Sequence, residues 1–311
     1  MYPGKVAIIV NPQAGGGNAG KHWPLIEGIL RERLGTYQLS LTRGPGDATV
    51  MTRDYLREGA DLIVCVGGDG TLNEVVNGFI AGDEPFRKES VLAFIPNGTG
   101  CDFVRTANIP ANISQSVDNI LRGHVRKIDI GKLHFIDGNG KKQSRYFHNI
   151  TSFGLGGEVD ARVNKTSKAF GPFLSFIWST IVSIFCYGKK AVMLEVDDHY
   201  RKQVIIWNIA VANGRYHGGG MLVAPEADLE DGIFHVVVIG DLTLFQVFRH
   251  LPKLYNGQIN KLRQVTTLTG RKITATSPDH VLLDVDGEQP GRLPVTLEIL
   301  PGILPLIVRK A

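Results

Sequence analysis

The chain has 311 residues, 43% hydrophobic and 21% charged, which is sufficient for a globular protein of two domains. Its 34 Lys and Arg residues and 30 Asp and Glu residues give a formal charge of +4, too small for a nucleic-acid-binding surface but compatible with contact with an anionic membrane. Three cysteines without CxxC spacing argue against a disulfide framework or a zinc site and favour a reducing compartment. The apolar run Val6–Val10 is too short for a secretory signal, so we expect a cytoplasmic protein.

Residues 1–130 alternate short β-branched runs with helical patterns, which is typical of a parallel α/β sheet. The predicted strands are Val6–Val10, Tyr37–Thr42, Leu62–Val66 and Val91–Ile95, and the predicted helices are Lys21–Leu34, Asp47–Glu58 and Leu72–Ile80. This half of the sequence therefore predicts a doubly wound α/β domain.

After Gly131 the pattern changes to strand-like runs separated by turn signals, which predicts a second, β-rich, sandwich-like domain. The predicted strands are Tyr146–Ile150, Ala191–Val196, Val204–Ala212, Ile233–Ile239, Arg271–Ala275 and Val281–Val285, and a helix is predicted at Leu242–Leu254.

The segment Ala169–Tyr187 carries no charge and is nearly long enough to span a membrane. Pro172 near its start and several Ser and Thr residues argue against a span. A buried core helix and a lipid-facing helix remain as alternatives. In the second case, the flanking lysines would lie at the level of the lipid headgroups.

Four glycine-containing loops follow the four predicted N-terminal strands. Because ligands bind outside the carboxyl ends of parallel strands, we expect these loops to form one site. Glycines allow backbone N–H groups to approach a phosphate closely, and the helix that follows each loop favours an anion at its N-terminus. The alternative for any single loop is a tight turn with a helix-capping aspartate. The loops are Asn11–Gly17, Thr42–Ala48, Gly67–Thr71 and Pro96–Asp102.

Asp69 and Asp102 lie in two of these loops and would repel a phosphate, which predicts a Mg²⁺ ion between the carboxylates and the phosphate oxygens. Gly15, Gly17 and Gly20 also satisfy GxGxxG, so NADP binding remains an alternative, with Arg43 available for a 2′-phosphate. The sequence contains no GxxxxGK[ST] segment, which excludes a P-loop.

Gly67–Thr71 and the following Leu72–Gly78, together with Asn11-Pro12 and the glycine loop, resemble the diacylglycerol kinase catalytic domain. That superfamily includes bacterial lipid kinases, sphingosine kinases and ceramide kinases, and the GGDGT motif also occurs in NAD kinases. Pro96–Phe103 resembles the family's GTxND-F loop, with Cys101 where Asn is usual. Further segments match in order, so the resemblance covers nearly the whole chain: Asn149–Gly156, Asn213–Met221, Pro225–Gly232 and Asp286–Glu288.

The resemblance implies an α/β nucleotide-binding domain of residues 1–130 with 302–311, a β-rich lipid-substrate domain of residues 131–301, and an active site in the cleft between them. It implies an ATP- and Mg²⁺-dependent kinase of lipid metabolism that phosphorylates a lipid hydroxyl, such as that of diacylglycerol, in peripheral contact with the membrane. The implied nucleotide-binding residues are Asn11, Gly15, Gly16, Gly17, Thr42, Gly67, Gly68, Asp69, Gly70, Thr71, Glu74, Gly98 and Thr99.

The resemblance also assigns catalytic and metal-binding roles to carboxylates. Asp286 is the implied general base, with Asp69 as the alternative, and Asp69, Asp102 and Glu288 are implied around the catalytic Mg²⁺. Asp228, Asp231 and the carbonyl of Ile233 resemble a structural Mg²⁺ site. The alternatives without a functional role are a hairpin tip for the Asp286-Gly287-Glu288 segment and a solvated acidic turn for the Asp228 segment.

Two other functions compete with the lipid kinase. One is an NAD kinase-like soluble kinase, and the other is a non-catalytic lipid- or nucleotide-binding protein. Retention of the carboxylates Asp69, Asp102, Asp286 and Glu288 speaks against a non-catalytic protein. The sequence leaves open which lipid alcohol is the acceptor, whether ATP or GTP is the donor, and whether the protein forms a homodimer.

Overall fold

The computed structural model describes residues 4–165 and 172–310. The chain forms two compact units, of which unit 1 comprises Met1–Asp129 with Pro301–Ala311 and unit 2 comprises Ile130–Leu300. Unit 1 is an α/β domain and unit 2 is rich in antiparallel strands. The predicted fold class is therefore confirmed.

Unit 1 is built on a parallel sheet with the strand order β2, β1, β3, β6 and the end of β19. Its strands are β1 (Val6–Val10), β2 (Gln38–Leu41), β3 (Leu62–Gly67) and β6 (Val91–Pro96), with β19 (Gly291–Val308) contributing its last residues and β4 (Ile80–Ala81) and β5 (Glu84–Pro85) forming a separate short hairpin. Its helices are α1 (Asn18–Leu34), α2 (Asp47–Arg57), α3 (Asp69–Phe79), α4 (Phe103–Ala107) and α5 (Ile113–Arg122).

The central strands of unit 1 form because they are continuous apolar runs with both faces covered. Every residue of β1 and β3 is buried, and the apolar faces of α1 and α5 complete the core. Such two-sided burial is expected for parallel strands, so the predicted strand positions were close to the observed ones. Helix α3 begins at Asp69 rather than at the predicted Leu72, which places the acidic residue in its first turn.

Unit 2 contains two antiparallel sheets. The first contains β7 (His124–Asp137), which begins in unit 1, β8 (Lys142–Phe147), β10 (Lys190–Val196), β11 (Tyr200–Ile206), β17 (Lys272–Thr276) and the first part of β19. The second has the order β16 (Val265–Gly270), β15 (Phe234–Ile239), β12 (Asn208–Ala212), β9 (Ile150–Gly154) and β18 (Leu283–Val285), while β13 (Tyr216–His217) and β14 (Met221–Leu222) form a short ribbon. Side chains from both sheets form one core.

Two strands of unit 2 were predicted as continuous but are interrupted. The predicted Tyr146–Ile150 spans the break between β8 and β9, and the predicted Val204–Ala212 breaks at Trp207, between β11 and β12. At both breaks the chain passes from the first sheet to the second. Corners of this kind are common where strands change sheets, and apolar periodicity does not reveal them.

The α-helices of unit 2 among the described residues are α6 (Leu155–Lys165), α7 (Pro172–Cys186) and α8 (Leu244–Tyr255). Residues 169–171 of the uncharged segment lie outside the described residues, and its remainder forms α7. Ile184 of α7 is buried, but Trp178 and Phe185 are 64% and 63% exposed, so the helix has an outward apolar face. Over residues 4–165 and 172–310, none of the helices combines the length and the apolar character needed to cross a bilayer.

Candidate active site

The loop after β1 presents three successive glycines with positive φ. Gly15, Gly16 and Gly17 have φ values of 62°, 68° and 90°, a conformation that residues with a Cβ rarely adopt. Asn11 fixes the start of the loop, because its Nδ2 donates to Thr71 Oγ1 (2.9 Å) and its Oδ1 accepts from the Gln13 N–H (3.0 Å). The loop is therefore anchored to the first turn of α3.

The loops after β3 and β6 touch through glycines. A Cβ on Gly98 would lie 2.5 Å from the Cα of Gly68, and a Cβ on Gly67 would lie 2.7 Å from Thr71 Oγ1. The Asn97 N–H also donates to the Gly67 carbonyl (2.6 Å). These positions exclude side chains, and this lets the two loops and the N-terminus of α3 come together. The predicted Thr99, by contrast, lies on the exposed side of its loop.

Asp69 and Asp102 are brought together at the same edge of the sheet. The Asp102 N–H lies 3.3 Å from Asp69 Oδ2, and the Asp102 side chain is only 8% exposed. Carboxylate oxygens are ligands that suit a hard cation, so these residues fit Mg²⁺. Among the residues described, no group of three or more His, Cys, Asp or Glu side chains could hold a metal, so the remaining ligands would be phosphate and water oxygens.

Glu74 contacts the loop after β2, and its predicted role in nucleotide binding remains a prediction. Its Oε1 accepts from the Gly46 N–H (2.8 Å) and its Oε2 from the Ala48 N–H (3.1 Å), at the start of α2. Both oxygens therefore hold the loop after β2 against α3. Thr42 at the end of β2 donates its backbone N–H to the Val10 carbonyl (2.8 Å).

Cys101 has an unusual backbone for its residue type. Its φ is 47°, a region in which Asn is tolerated far better than Cys, and its Sγ lies 3.3 Å from the Gly98 N–H. Burial, together with the negative charge of Asp69, raises the pKa of this thiol to about 12. The thiol is therefore protonated near neutral pH and is a weak nucleophile.

In unit 2, Asp286 and Gly287 form the tip of a hairpin, with φ values of 51° and 86°. The Val285 N–H donates to the Glu288 carbonyl (2.8 Å) and the Glu288 N–H donates to the Val285 carbonyl (3.0 Å). Two central residues with positive φ are characteristic of a type I′ turn, which favours Asp-Gly. The backbone of the Asp286-Gly287-Glu288 segment is therefore that of a hairpin turn.

The side chain of Asp286 is 1% exposed and accepts several hydrogen bonds. The backbone N–H groups of His148, Asn149 and Ile150 lie 3.0, 3.1 and 3.1 Å from its oxygens, and His148 Nδ1 lies 2.8 Å from Oδ2. This carboxylate holds the corner between β8 and β9. Glu288 is 42% exposed and pairs with Arg145 (2.5 Å).

The predicted structural magnesium site is an acidic turn with local hydrogen bonds. Asp228 Oδ1 accepts from the Glu230 N–H, and Asp231 accepts from the Ile233 N–H and lies 3.1 Å from His235 Nε2. Both aspartates are exposed residues. These contacts match a solvated acidic turn, and the magnesium role of Asp228, Asp231 and the Ile233 carbonyl remains a prediction.

A cavity of about 140 Å³ lies within unit 2 and is lined in part by residues of α7 and α8. Its walls are mainly apolar, and its lining includes Leu155, Val159, Ile184, Trp207, Leu251 and Leu254. Four titratable side chains interrupt this apolar wall: Asp160 on α6, His217 on β13, His250 on α8 and Asp284 on β18. These residues lie far apart in sequence.

The two halves of the chain match two family models. Residues 5–133 match the diacylglycerol kinase catalytic domain, and residues 149–308 match the YegS C-terminal NAD kinase beta sandwich-like domain. A diacylglycerol kinase of Staphylococcus carnosus (strain TM300) is 29% identical over 93% of this chain and 90% of its own length.

Solved structures share the fold. A diacylglycerol kinase from Bacillus anthracis str. Sterne superposes with a TM-score of 0.73 and 24% identity, covering 99% of this chain and 98% of that one. Yeast NADH kinase in complex with NADH superposes with a TM-score of 0.57 and 12% identity, covering 100% of this chain and 85% of that one. At these identities both comparisons establish the fold alone.

Proposed function

The chain belongs to the family that joins a diacylglycerol kinase catalytic domain to a YegS C-terminal NAD kinase beta sandwich-like domain, and we propose that this kinase transfers the γ-phosphoryl group of ATP to a lipid hydroxyl. The acceptor we propose is diacylglycerol or a similar neutral lipid alcohol. The observation that carries the lipid assignment is the apolar cavity in unit 2, which suits acyl chains better than a nucleotide.

The glycine loops of unit 1 support the proposed binding of ATP. Three successive glycines with positive φ leave the backbone of the β1 loop without side chains, and the first turn of α3 adds N–H groups that favour an anion. Asp69 and Asp102 would hold Mg²⁺, which when bound would neutralise charge on the phosphates. Glu74 would act indirectly, by holding the loop after β2.

The chemical step that we propose is a direct displacement. The lipid hydroxyl oxygen forms a bond to the γ-phosphorus, the bond from that phosphorus to the β–γ bridging oxygen breaks, and ADP leaves. A carboxylate receives the hydroxyl proton. Asp69 is only partly buried, whereas Asp286 is 1% exposed and already accepts several hydrogen bonds, so we favour Asp69 as the base and a positioning role for Asp286.

The test is transfer of labelled γ-phosphate from ATP and Mg²⁺ to lipids in mixed micelles, with NAD as a soluble acceptor. We expect label in diacylglycerol or a related lipid, and at least a ~100-fold lower turnover for Asp69→Asn with an unchanged melting temperature. Label in NAD alone would replace the lipid proposal by an NAD kinase activity. Absence of transfer to any acceptor would favour a non-catalytic binding protein.

We also propose that unit 2 contacts the membrane surface through an aromatic patch, defined by Trp178 and Phe185 on α7 and Phe245 and Phe248 on α8. Trp178, Phe185 and Phe245 are 64%, 63% and 73% exposed, and the rings of Phe185 and Phe248 lie 5.4 Å apart. Arg249 and Lys253 follow on α8 and carry the charge that anionic headgroups attract. The same two helices line the apolar cavity, which would bring a lipid substrate close to its binding site.

A further inference from the structure

Asn97 lies where three glycine loops of unit 1 meet. It belongs to the loop after β6, and its backbone N–H donates to the Gly67 carbonyl of the β3 loop (2.6 Å). Its carbonyl oxygen lies beside the β1 loop, because a Cβ on Gly15 would be 3.1 Å from that oxygen. The backbone of Asn97 is therefore in contact with both of the loops that are proposed to bind the phosphates of ATP.

His22 on helix α1 contacts the side chain of the same residue. Its Nδ1 lies 3.3 Å from Asn97 Oδ1, and His22 is exposed. An amide oxygen can only accept a hydrogen bond, so this contact requires a hydrogen on His22 Nδ1. The contact links α1, which follows the β1 loop, to the loop after β6, and it fixes the direction in which the Asn97 amide points.

The other end of the Asn97 amide has no partner among residues 4–165 and 172–310. Its Nδ2 is buried and donates to none of these residues. A buried donor without an acceptor is unfavourable, and a ligand that supplies an acceptor removes this cost. Turning the amide by 180° would exchange the two ends and bury Oδ1 instead, and this oxygen would repel a phosphate. The orientation with Oδ1 toward His22 is therefore the one that suits an anionic ligand.

We infer that His22 is a positioning residue of the nucleotide site, which holds the Asn97 amide so that Nδ2 donates to a phosphate oxygen of the bound nucleotide. This inference rests on the proposed function and deepens it, because it adds two side chains to the set that recognises the phosphates. Asn97 contacts the nucleotide directly, whereas His22 acts through Asn97. Loss of either side chain should therefore weaken the binding of a nucleotide through its phosphates and leave the binding of the lipid unchanged.

The first experiment measures nucleotide binding without catalysis, by isothermal titration calorimetry with AMP-PNP and Mg²⁺ and, separately, with adenosine, which has no phosphates. We expect Asn97→Ala to weaken AMP-PNP binding at least ~10-fold, the equivalent of about 1.4 kcal/mol, and to keep adenosine binding within ~2-fold. His22→Leu should weaken AMP-PNP binding at least ~5-fold, and His22→Asn should keep it within ~2-fold, because the Asn amide can donate in place of Nδ1. His199→Leu is the matched control, because His199 is an exposed histidine in the turn between β10 and β11.

The second experiment tests whether the two residues act as a unit. Because His22 acts through Asn97, adding His22→Leu to Asn97→Ala should weaken AMP-PNP binding by less than a further ~2-fold. In phosphoryl transfer, both single variants should raise the KM for ATP and leave the KM for the lipid unchanged. Without nucleotide, Asn97→Ala should melt no lower than the wild type, because it removes a buried donor that has no partner among the described residues.

The outcomes separate this inference from the proposed function. Phosphorylation of diacylglycerol with AMP-PNP binding that is insensitive to His22→Leu and Asn97→Ala would leave the lipid kinase standing and overturn the roles of both residues. AMP-PNP binding that depends on both residues, without phosphoryl transfer to any lipid, would support these roles and reject the lipid kinase. Additive effects of the two substitutions would contradict the positioning role of His22. Equal losses of AMP-PNP and adenosine binding would show that Asn97 supports the loop and does not contact a phosphate.

Discussion

Cys101 lies at a backbone position with positive φ, which suits Asn better than Cys. Its left-handed conformation costs an ordinary L-residue roughly 1–2 kcal/mol, and Asn, the residue usual at this place in the family, lowers this cost. The thiol itself is buried and protonated, so the structure gives it no chemical role in the loop. We therefore expect the presence of Cys instead of Asn at this position to affect the stability of the protein.

We expect Cys101→Asn to raise the melting temperature by a few degrees, because it relieves about 1 kcal/mol of backbone strain. Cys101→Val should lower the melting temperature, since a β-branched side chain is poorly tolerated at positive φ. Both variants lack the thiol, so differential scanning calorimetry of the pair isolates the backbone effect. Equal melting temperatures for the two variants would argue against strain at this position.

Asp286 is a buried carboxylate that accepts hydrogen bonds from three successive backbone N–H groups. Asp286→Asn retains the shape but leaves an NH₂ group facing backbone N–H donors from the corner after β8. We expect a loss of about 3 kcal/mol of stability, seen as a melting temperature lower by roughly 5–10 °C. Glu288→Gln is the comparison, because its half-exposed ion pair with Arg145 should contribute much less. A fully stable Asp286→Asn variant with abolished turnover would instead support Asp286 as the base.

The residues of the candidate site differed in how well the sequence revealed them. The glycines of the β1 and β3 loops and the pair Asp69 and Asp102 were identified because strand ends and motifs place them at one sheet edge. Asp160 and Asp284, which both line the cavity, were not identified, because they come together only in the folded unit. A buried carboxyl pair built from distant segments leaves no local pattern in a sequence.

At the scale of elements, α7 and α8 are the least conventional parts of unit 2. Helix α8 has no buried residue and α7 exposes large aromatic side chains, yet both contribute to the lining of the cavity. Helices with an inner apolar side and an outer aromatic side are suited to a membrane interface. The aromatic patch is therefore the feature to alter when membrane contact is tested.

We expect the double variant Trp178→Ser, Phe245→Ser to bind phosphatidylglycerol vesicles at least ~10-fold more weakly at low salt, because each aromatic ring contributes roughly 1.5–3 kcal/mol when buried. Co-sedimentation with vesicles provides the measurement. Leu25→Ser is the matched control, because Leu25 is 62% exposed on α1. Binding should also fall as salt rises, since Arg249 and Lys253 are screened. If the double variant sediments like the wild type, the patch is not the membrane contact.

The strands that were predicted most accurately are those that are buried on both faces. Strands β1, β3 and β6 were predicted well because apolar runs covered on both faces are distinctive. Strand β19 was not predicted, since its prolines argue against a strand and its two parts belong to different units. Strand and helix type therefore follow from local pattern, whereas sheet corners and long shared strands depend on tertiary pairing.

At the scale of the whole molecule, unit 1 is assembled from two distant parts of the chain. The end of β19 pairs with β6 at Leu306 and Leu92, and Leu306 is completely buried in the core. Residues close to the C-terminus are thus integral to the sheet that carries the glycine loops. Damage there should affect the nucleotide site even though no catalytic group is touched.

We expect Leu306→Ala to cost unit 1 about 2–5 kcal/mol of stability through lost packing and the cavity it leaves. The measurement is the melting temperature with and without ATP, and both the melting temperature and its increase with ATP should fall. Lys310→Ala, at an exposed position, is the control and should leave both unchanged. An unaltered melting temperature in Leu306→Ala would show that this strand is dispensable for unit 1.

The pairing of β19 with β6 also sets the order in which the protein can fold during translation. Residues 301–308 are synthesised only after the whole of unit 2. Strand β6 therefore cannot pair with the end of β19 until the ribosome has completed the chain. Until then, the N-terminal sheet has an unpaired apolar edge, which is prone to aggregation. Slow synthesis of unit 2 would prolong this exposure, so the yield of folded protein should depend on translation speed and on chaperones that shield the nascent β6.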